Sequence, residues 1–310
     1  MNIKQGLFIN PTKAACSIYE SGMMIYNIIS KVTKIDLDIM SISRSDAMTG
    51  NFKIPEFYDF YLFNWHHWAM PVSKEKIDKL PGKKLSILLE ISPSSVFDYA
   101  HDDWFDFYMA IDPTKLKDKN VYIFSRPIEI MRKSRPLLDK LSFGSFGLHI
   151  PGKRFEDIVK VATDLNEDCI VRINICQGTY VGNQQIKQHF DVWRKLAGPK
   201  VDLRLTDTFM DKQELISWCS EHTLNVFPYY RTAPGLAATT DQAISSGRAL
   251  AVTYCDTFRH IHKYIDYFPN QSYLELIKST PSGVRQMQQD WSQEVFLNSF
   301  EDMFTEEGLI

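Results

Sequence analysis

The chain has 310 residues, with 35 Lys and Arg against 38 Asp and Glu, a net charge of −3. Hydrophobic residues make up 44% and charged residues 24%, which excludes a disordered, collagen-like or low-complexity polymer. No surplus of positive charge is available to neutralise a phosphate backbone, so a generally basic nucleic-acid binder is excluded as well.

Strand candidates in the first half are Gly6–Asn10, Leu37–Ile42, Phe60–Asn64, Leu85–Ile91, Phe107–Ile111 and Val121–Phe124. Their apolar residues are continuous rather than alternating, the pattern of strands buried on both faces of a parallel sheet. Ser17–Lys31 has helical spacing in its later part. The second half repeats the alternation, with strands at Leu141–Phe146, Cys169–Ile175, Val201–Leu205, Leu224–Phe227 and Ala249–Thr253. Helices are expected at Arg154–Leu165, Gln184–Leu196, Asp211–Ser220 and Thr240–Ser246, the third opening on a capping box of Asp211 and Glu214. Gly283–Phe304 carries a long apolar face and reads as one long helix.

Repeated β–α alternation implies an α/β fold with parallel sheets. At roughly 100–200 residues per domain, the length suits two domains. Two Rossmann-like domains account for eleven strands better than one doubly wound sheet. They also do so better than a (β/α)8 barrel, because the two halves are unevenly spaced. The expected division is residues 1–130 and 140–280, with a cleft between the domains. The apolar face of the helix in residues 283–310 must pack on something.

The five cysteines show no C-x-x-C spacing and read as reduced, mostly buried thiols. The start of the chain lacks the basic and apolar segments of a signal peptide. No window reaches the roughly 18 apolar residues that a spanning helix needs. The expected location is therefore the cytoplasm, and peripheral contact with a membrane stays compatible with the sequence.

In an open parallel sheet, ligands bind beyond the carboxyl ends of the strands. Gly147, Gly152 and Lys153 follow one strand and precede a helix, which suits a phosphate or diphosphate. Arg231 follows another strand, with Gly235, Thr239 and Thr240 leading into the next helix. Phe209 and Met210 follow a third strand, where a nucleobase could stack. In the first half, His66 and His67 follow a strand and are candidates for proton transfer. As neighbours in sequence they are expected to point in different directions, which makes them a poor chelating pair. Glu90 is a candidate carboxylate partner, and Lys13 and Glu20 are candidates to line the same cleft. No P-loop, nucleophile elbow or H-E-x-x-H is present. Asp36-Leu37-Asp38 has the spelling of a metal–diphosphate motif but sits at a strand start. No metal is expected.

Four segments taken in order resemble the donor-binding domain of the GT-B glycosyltransferases often called group 1. Phe143-Gly144-Ser145-Phe146-Gly147 through Lys153-Arg154-Phe155-Glu156 resembles the opening strand, glycine loop and lysine-started helix. Met210-Asp211-Lys212-Gln213-Glu214-Leu215 is similar to the helix flanking the base. Asn225-Val226-Phe227-Pro228-Tyr229 is similar to the strand entering the sugar-diphosphate loop. Gln242 to Leu250 resembles the step usually written E-A-x-A-x-G-x-P-V. The family's paired glutamates would fall at Pro234 and Gln242, and its loop arginine at Leu148. The long final helix with Trp291 is similar to the family's C-terminal helix, so the resemblance implies that residues 283–310 cross back onto the first domain. It implies a metal-independent transferase moving a sugar from a nucleotide-sugar donor to a glycan or small hydroxyl acceptor, with Lys13 and Glu20 on the acceptor side. The nucleotide sugar is then a co-substrate and no cofactor is implied. A non-catalytic sugar-nucleotide or glycan binding protein, and a glycosyltransferase acting on modified DNA bases, stay open as alternatives.

Overall fold

The computed structural model describes residues 3–12, 17–131, 135–176, 183–231 and 235–310. Two compact units emerge. Unit 1 comprises Met1–Pro127, Pro234–Leu236 and Trp291–Ile310, and unit 2 comprises Ile128–Ala233 and Ala237–Asp290. Among the described residues no helix is long and apolar enough to cross a membrane.

Unit 1 runs β1 (Lys4–Pro11), α1 (Ser17–Ile29), β2 (Ile35–Ile42), α2 (Arg44–Thr49), β3 (Phe60–Phe63), α3 (Lys74–Asp78), β4 (Lys83–Leu88), β5 (Phe107–Ala110) and β6 (Val121–Ile123). The strands form one parallel sheet in the order β2-β1-β3-β4-β5-β6. Phe8, Phe60 and Leu62 enter one core, whereas Leu7, Ile9, Tyr61 and Phe63 enter the other. Both faces of the inner strands are therefore dry, which is why they read as unbroken apolar runs, while the edge strand β2 exposes Asp36 and Asp38. The sheet order reverses between β1 and β3. There Asn64 donates to Asn10 at 2.8 Å and to the Ile18 carbonyl at 2.9 Å, tying the two strand ends to the start of α1.

Unit 2 runs β7 (Leu141–Leu148), α4 (Phe155–Asp164), β8 (Cys169–Cys176), α5 (Asn183–Leu196), β9 (Val201–Thr206), α6 (Lys212–Cys219), β10 (Leu224–Phe227), α7 (Thr239–Ser245), β11 (Ala249–Val252) and α8 (Tyr273–Asp290). Its parallel sheet is ordered β11-β10-β7-β8-β9, with the reversal between β7 and β10. The expected capping box opens α6, with the Asp211 carboxylate accepting from the Glu214 N–H at 2.8 Å and Glu214 reciprocating at 2.9 Å. Of the cysteines, Cys169 and Cys219 are buried, while Cys176 and Cys255 are half-buried free thiols. Cys16 lies outside the described residues.

One expectation is corrected at the C-terminal end. The single helix over Gly283–Phe304 is two helices, α8 and α9 (Gln293–Glu306). Ser292 breaks them, its hydroxyl accepting from the Val295 N–H at 3.3 Å as an N-cap. The apolar period continues across the break, which is why the sequence reads as one helix. Val284 and Met287 are buried within unit 2, whereas Phe296, Phe300, Met303 and Phe304 fill the core of unit 1 beside α1.

Candidate functional site

In unit 2 the loops after β7 and β10 leave the sheet on either side of the order reversal, where open α/β sheets bind ligands. Tyr230 donates its N–H to the Gly152 carbonyl at 2.7 Å, joining the two loops. Gly152 has φ +85°, and a Cβ there would stand 2.8 Å from the Tyr230 carbonyl oxygen. Arg154 is the N-cap of α4 at φ +51° and pairs with Asp157 at 2.6 Å. The left-handed turn sends Lys153 inward, leaving it only 5% exposed.

The Lys153 Nζ lies 5.0 Å from the centre of the Tyr229 ring. A Cβ on Gly147, whose φ is +145°, would come 2.4 Å from that nitrogen and 3.3 Å from the Thr239 methyl. The buried Tyr229 hydroxyl reaches the Thr239 hydroxyl at 3.1 Å. Gly147, Lys153, Tyr229 and Thr239 thus form one cluster, with Arg231 beside it. Burial, and next the Arg231 charge, pull the Lys153 ammonium from 10.5 to about 7, with Cys176 acting in the opposite sense. Among the described residues neither Lys153 nor Arg231 forms an ion pair with a carboxylate. A site holding cations without a counter-ion is chemically prepared for an anion.

Phe209 is 63% exposed, so core packing does not account for it. Its loop is fixed to the end of β8, where Asn174 donates to the Thr208 carbonyl at 2.9 Å and the Cys176 thiol does so at 3.1 Å. Met210 is half-buried. Two expected donor residues lie elsewhere. Thr240 is fully buried and its hydroxyl is consumed by the Ala237 carbonyl at 2.7 Å, so it offers nothing to a ligand. Gly235 groups with unit 1, where a Cβ on it would stand 3.6 Å from the Glu90 Cγ.

In unit 1, His66, His67 and Glu90 come together beyond β3 and β4. The His66 Nδ1 accepts the N–H groups of Trp68 at 3.0 Å and Ala69 at 3.1 Å. Its proton therefore sits on Nε2, which faces the Glu90 carboxylate at 2.8 Å. This corrects His66 as a base, because its lone pair is already occupied. The expectation that the two histidines point apart is also corrected, since their rings stack at 4.6 Å and 18°. His67 Nδ1 lies 3.8 Å from the same carboxylate. Burial, and next the neighbouring His66, lower the His67 pKa against the opposing pull of Glu90. The ring is thus neutral near pH 7 and able to take a proton.

These three side chains bring ligand-type atoms within 4.8 Å of one another, a spacing that could hold a metal. The His66 tautomer argues against that use. A cation on Nε2 would force the proton onto Nδ1, against two backbone N–H groups. Glu20 is exposed in the first turn of α1. Lys13 lies outside the described residues. Tyr229 and Cys176 escaped the sequence-based site, although both lie at or just beyond strand ends near the reversal.

Two Rossmann-like sheets in one chain are the GT-B fold, the architecture that the sequence resemblance implies. Among solved structures the chain is similar to Anabaena HepE in complex with UDP-glucose, at 9% identity over 98% of this chain and 100% of that one, with a TM-score of 0.64. It is similar to sucrose-phosphate synthase from Thermosynechococcus elongatus at 9% identity, over 99% of each chain, with a TM-score of 0.66. An α-glucosyltransferase in complex with UDP matches at 11% identity, over 97% of this chain and 98% of that one, with a TM-score of 0.58. No family model and no curated protein matches the sequence. At such identities the likeness defines the fold.

Proposed function

We propose that the protein is a metal-independent glycosyltransferase that moves a sugar from a nucleotide-sugar donor to a glycan or small hydroxyl acceptor. The observation that carries this reading is the buried Lys153 beside Arg231, without a carboxylate partner, at the sheet reversal of unit 2. In the reaction the bond from the sugar C1 to the diphosphate oxygen breaks, and the acceptor oxygen bonds to C1. The diphosphate leaves with the electron pair, and Lys153 and Arg231 meet its charge. Phe209 gives the base an exposed ring to stack on. The acceptor proton passes to His67, and Glu90, held by the His66 N–H, stabilises the resulting imidazolium.

The test is a thermal melt with UDP-, GDP-, dTDP- and ADP-sugars. At least one should raise the melting temperature, and Lys153→Ala should lose that response. If no nucleotide sugar shifts the wild-type melt, the donor reading fails. A second reading, donor binding without turnover, is favoured by the amide of Gln242 where the resemblance expects a glutamate. Its Oε1 is buried with no hydrogen-bond partner among the described residues. Donor binding with no transfer across a broad acceptor panel would support that reading instead.

A further inference from the structure

Unit 1 contains a cavity of about 390 Å³ at the strand ends beyond β3 and β4. Its walls come from Trp65, His67, Tyr99, His101 and Trp104, with Asp98 at the rim. The volume falls within the range of small-molecule sites, roughly 300–1,000 Å³. His67 is at once a wall of the cavity and a neighbour of Glu90.

Resting on the transferase reading above, we infer that this cavity takes a neutral pyranose ring, the terminal sugar of a glycan acceptor. Three features select that class. First, the rings are arranged as a platform rather than a cage. The His101 ring covers a face of Trp104 at 3.9 Å and 8°. Trp65 meets both of those rings nearly edge-on, at 74° and 75°, and is almost buried. Tyr99, His67 and His101 are exposed, and the Tyr99 and His67 centroids are 5.4 Å apart at 32°. A flat platform accepts the C–H face of a pyranose, whereas an ammonium ion needs several free faces around it.

Second, Asp98 is a fixed acceptor for sugar hydroxyls. Ser92 and Ser94 both donate to its Oδ2, the latter at 2.6 Å, and these bonds hold its carboxyl below the usual carboxylate range. Among the described residues its Oδ1 accepts no hydrogen bond. Third, the lining itself carries a carboxylate and no cation among the described residues. Asp102 and Asp103 lie between His101 and Trp104 in sequence, and Glu90 stands beside His67. Just outside the lining, Lys74 pairs with Asp103 at 4.0 Å and the Lys115 charge acts on Asp98. Such a lining offers no counter-charge to a phosphorylated or carboxylated acceptor, and a neutral sugar needs none. A ring seated on Tyr99, beside the edge of His67, would bring a hydroxyl within reach of the group assigned to receive its proton.

The experiment is tryptophan fluorescence titration of the full chain with maltose, cellobiose, lactose and diacetylchitobiose. Glucuronate, glucose 6-phosphate and choline serve as opposing probes. At least one neutral disaccharide should bind saturably. Tyr99→Ala and Asp98→Asn should weaken it at least tenfold, and Tyr99→Phe should keep it. The UDP-sugar melting shift should be unchanged in all three variants, which shows that they fold and that the donor site is separate. The inference is overturned if no neutral disaccharide binds, if Tyr99→Ala binds as tightly as the wild type, or if choline or an anionic sugar binds in preference. If the melting shift is also missing from the wild type, the failure belongs to the transferase reading.

Discussion

The two units share a parallel α/β plan, yet their strand-end loops carry opposite chemistry. Unit 2 gathers Lys153 and Arg231 in a glycine-framed loop pair and gives them no carboxylate among the described residues. Unit 1 gathers histidines, aromatic rings, Glu90 and Asp98. The sheet fixes only where loops converge. The side chains at that edge decide whether it attracts a diphosphate or a neutral polyol.

The strongest way to break this division is His67→Ala. Transfer should fall by roughly 10²- to 10⁴-fold, the usual worth of a general base, while the donor-induced melting shift stays as in the wild type. Steady-state turnover and the melt, measured side by side, check it. If the variant loses donor binding as well, the two edges are not functionally separate.

A smaller effect should come from pH. The Lys153 ammonium is depressed to about 7 in the folded protein, and a bound diphosphate would restore its charge. Above pH 7 donor binding must then take up a proton, and affinity should fall by up to about tenfold per pH unit. Below pH 7 this group adds no pH dependence. Stability has the opposite sign. Between pH 7 and 10.5 the unfolded chain holds a proton that the folded chain lacks, so this group makes unfolding less favourable as pH rises. The groups around the ammonium are Arg231, Cys176 and the Tyr229 and Thr239 hydroxyls, with His149 slightly further out. Calorimetry in buffers of different ionisation enthalpy reads the proton uptake directly. Lys153→Arg, which stays charged, should abolish it.

The smallest change should follow Ser292→Ala. Losing this N-cap costs about 1 kcal/mol, and amide exchange should speed up in α9 and unit 1 but not in α4 or α5. Uniform acceleration across both units would blur the comparison.

Much of the fold was legible. All eleven expected strands are present, the inner ones as continuous apolar runs because both of their faces are covered. The edge strands β2 and β9 carry exposed polar residues, Asp36 and Asp38 in one and Asp202 and Arg204 in the other. The short helices α2 and α3 escaped notice, since five or six residues give too little periodicity to detect. Ser43 as N-cap and Gly50 at the end of α2 were the available signs. At the site, Lys153 and Arg231 were visible as loop cations after strands. The burial of Lys153 was not visible, because it depends on Tyr229 and Thr239, which arrive from distant stretches of chain. The aromatic cavity was missed for a related reason. Val96–Asp106 carries no element pattern, and only its density of rings (Phe97, Tyr99, Trp104, Phe105) set it apart.

The position of α9 has a consequence for biosynthesis. Phe296, Phe300, Met303 and Phe304 complete the core of unit 1, yet the ribosome makes them only after the whole of unit 2. The half that is synthesised first therefore closes last. Until then, of α1 and α9 only α1 covers the core around Phe8, Phe60 and Phe124, and Phe60 and Phe124 lack their partners Phe304 and Phe296. A nascent chain paused before α9 would present that sticky surface to chaperones.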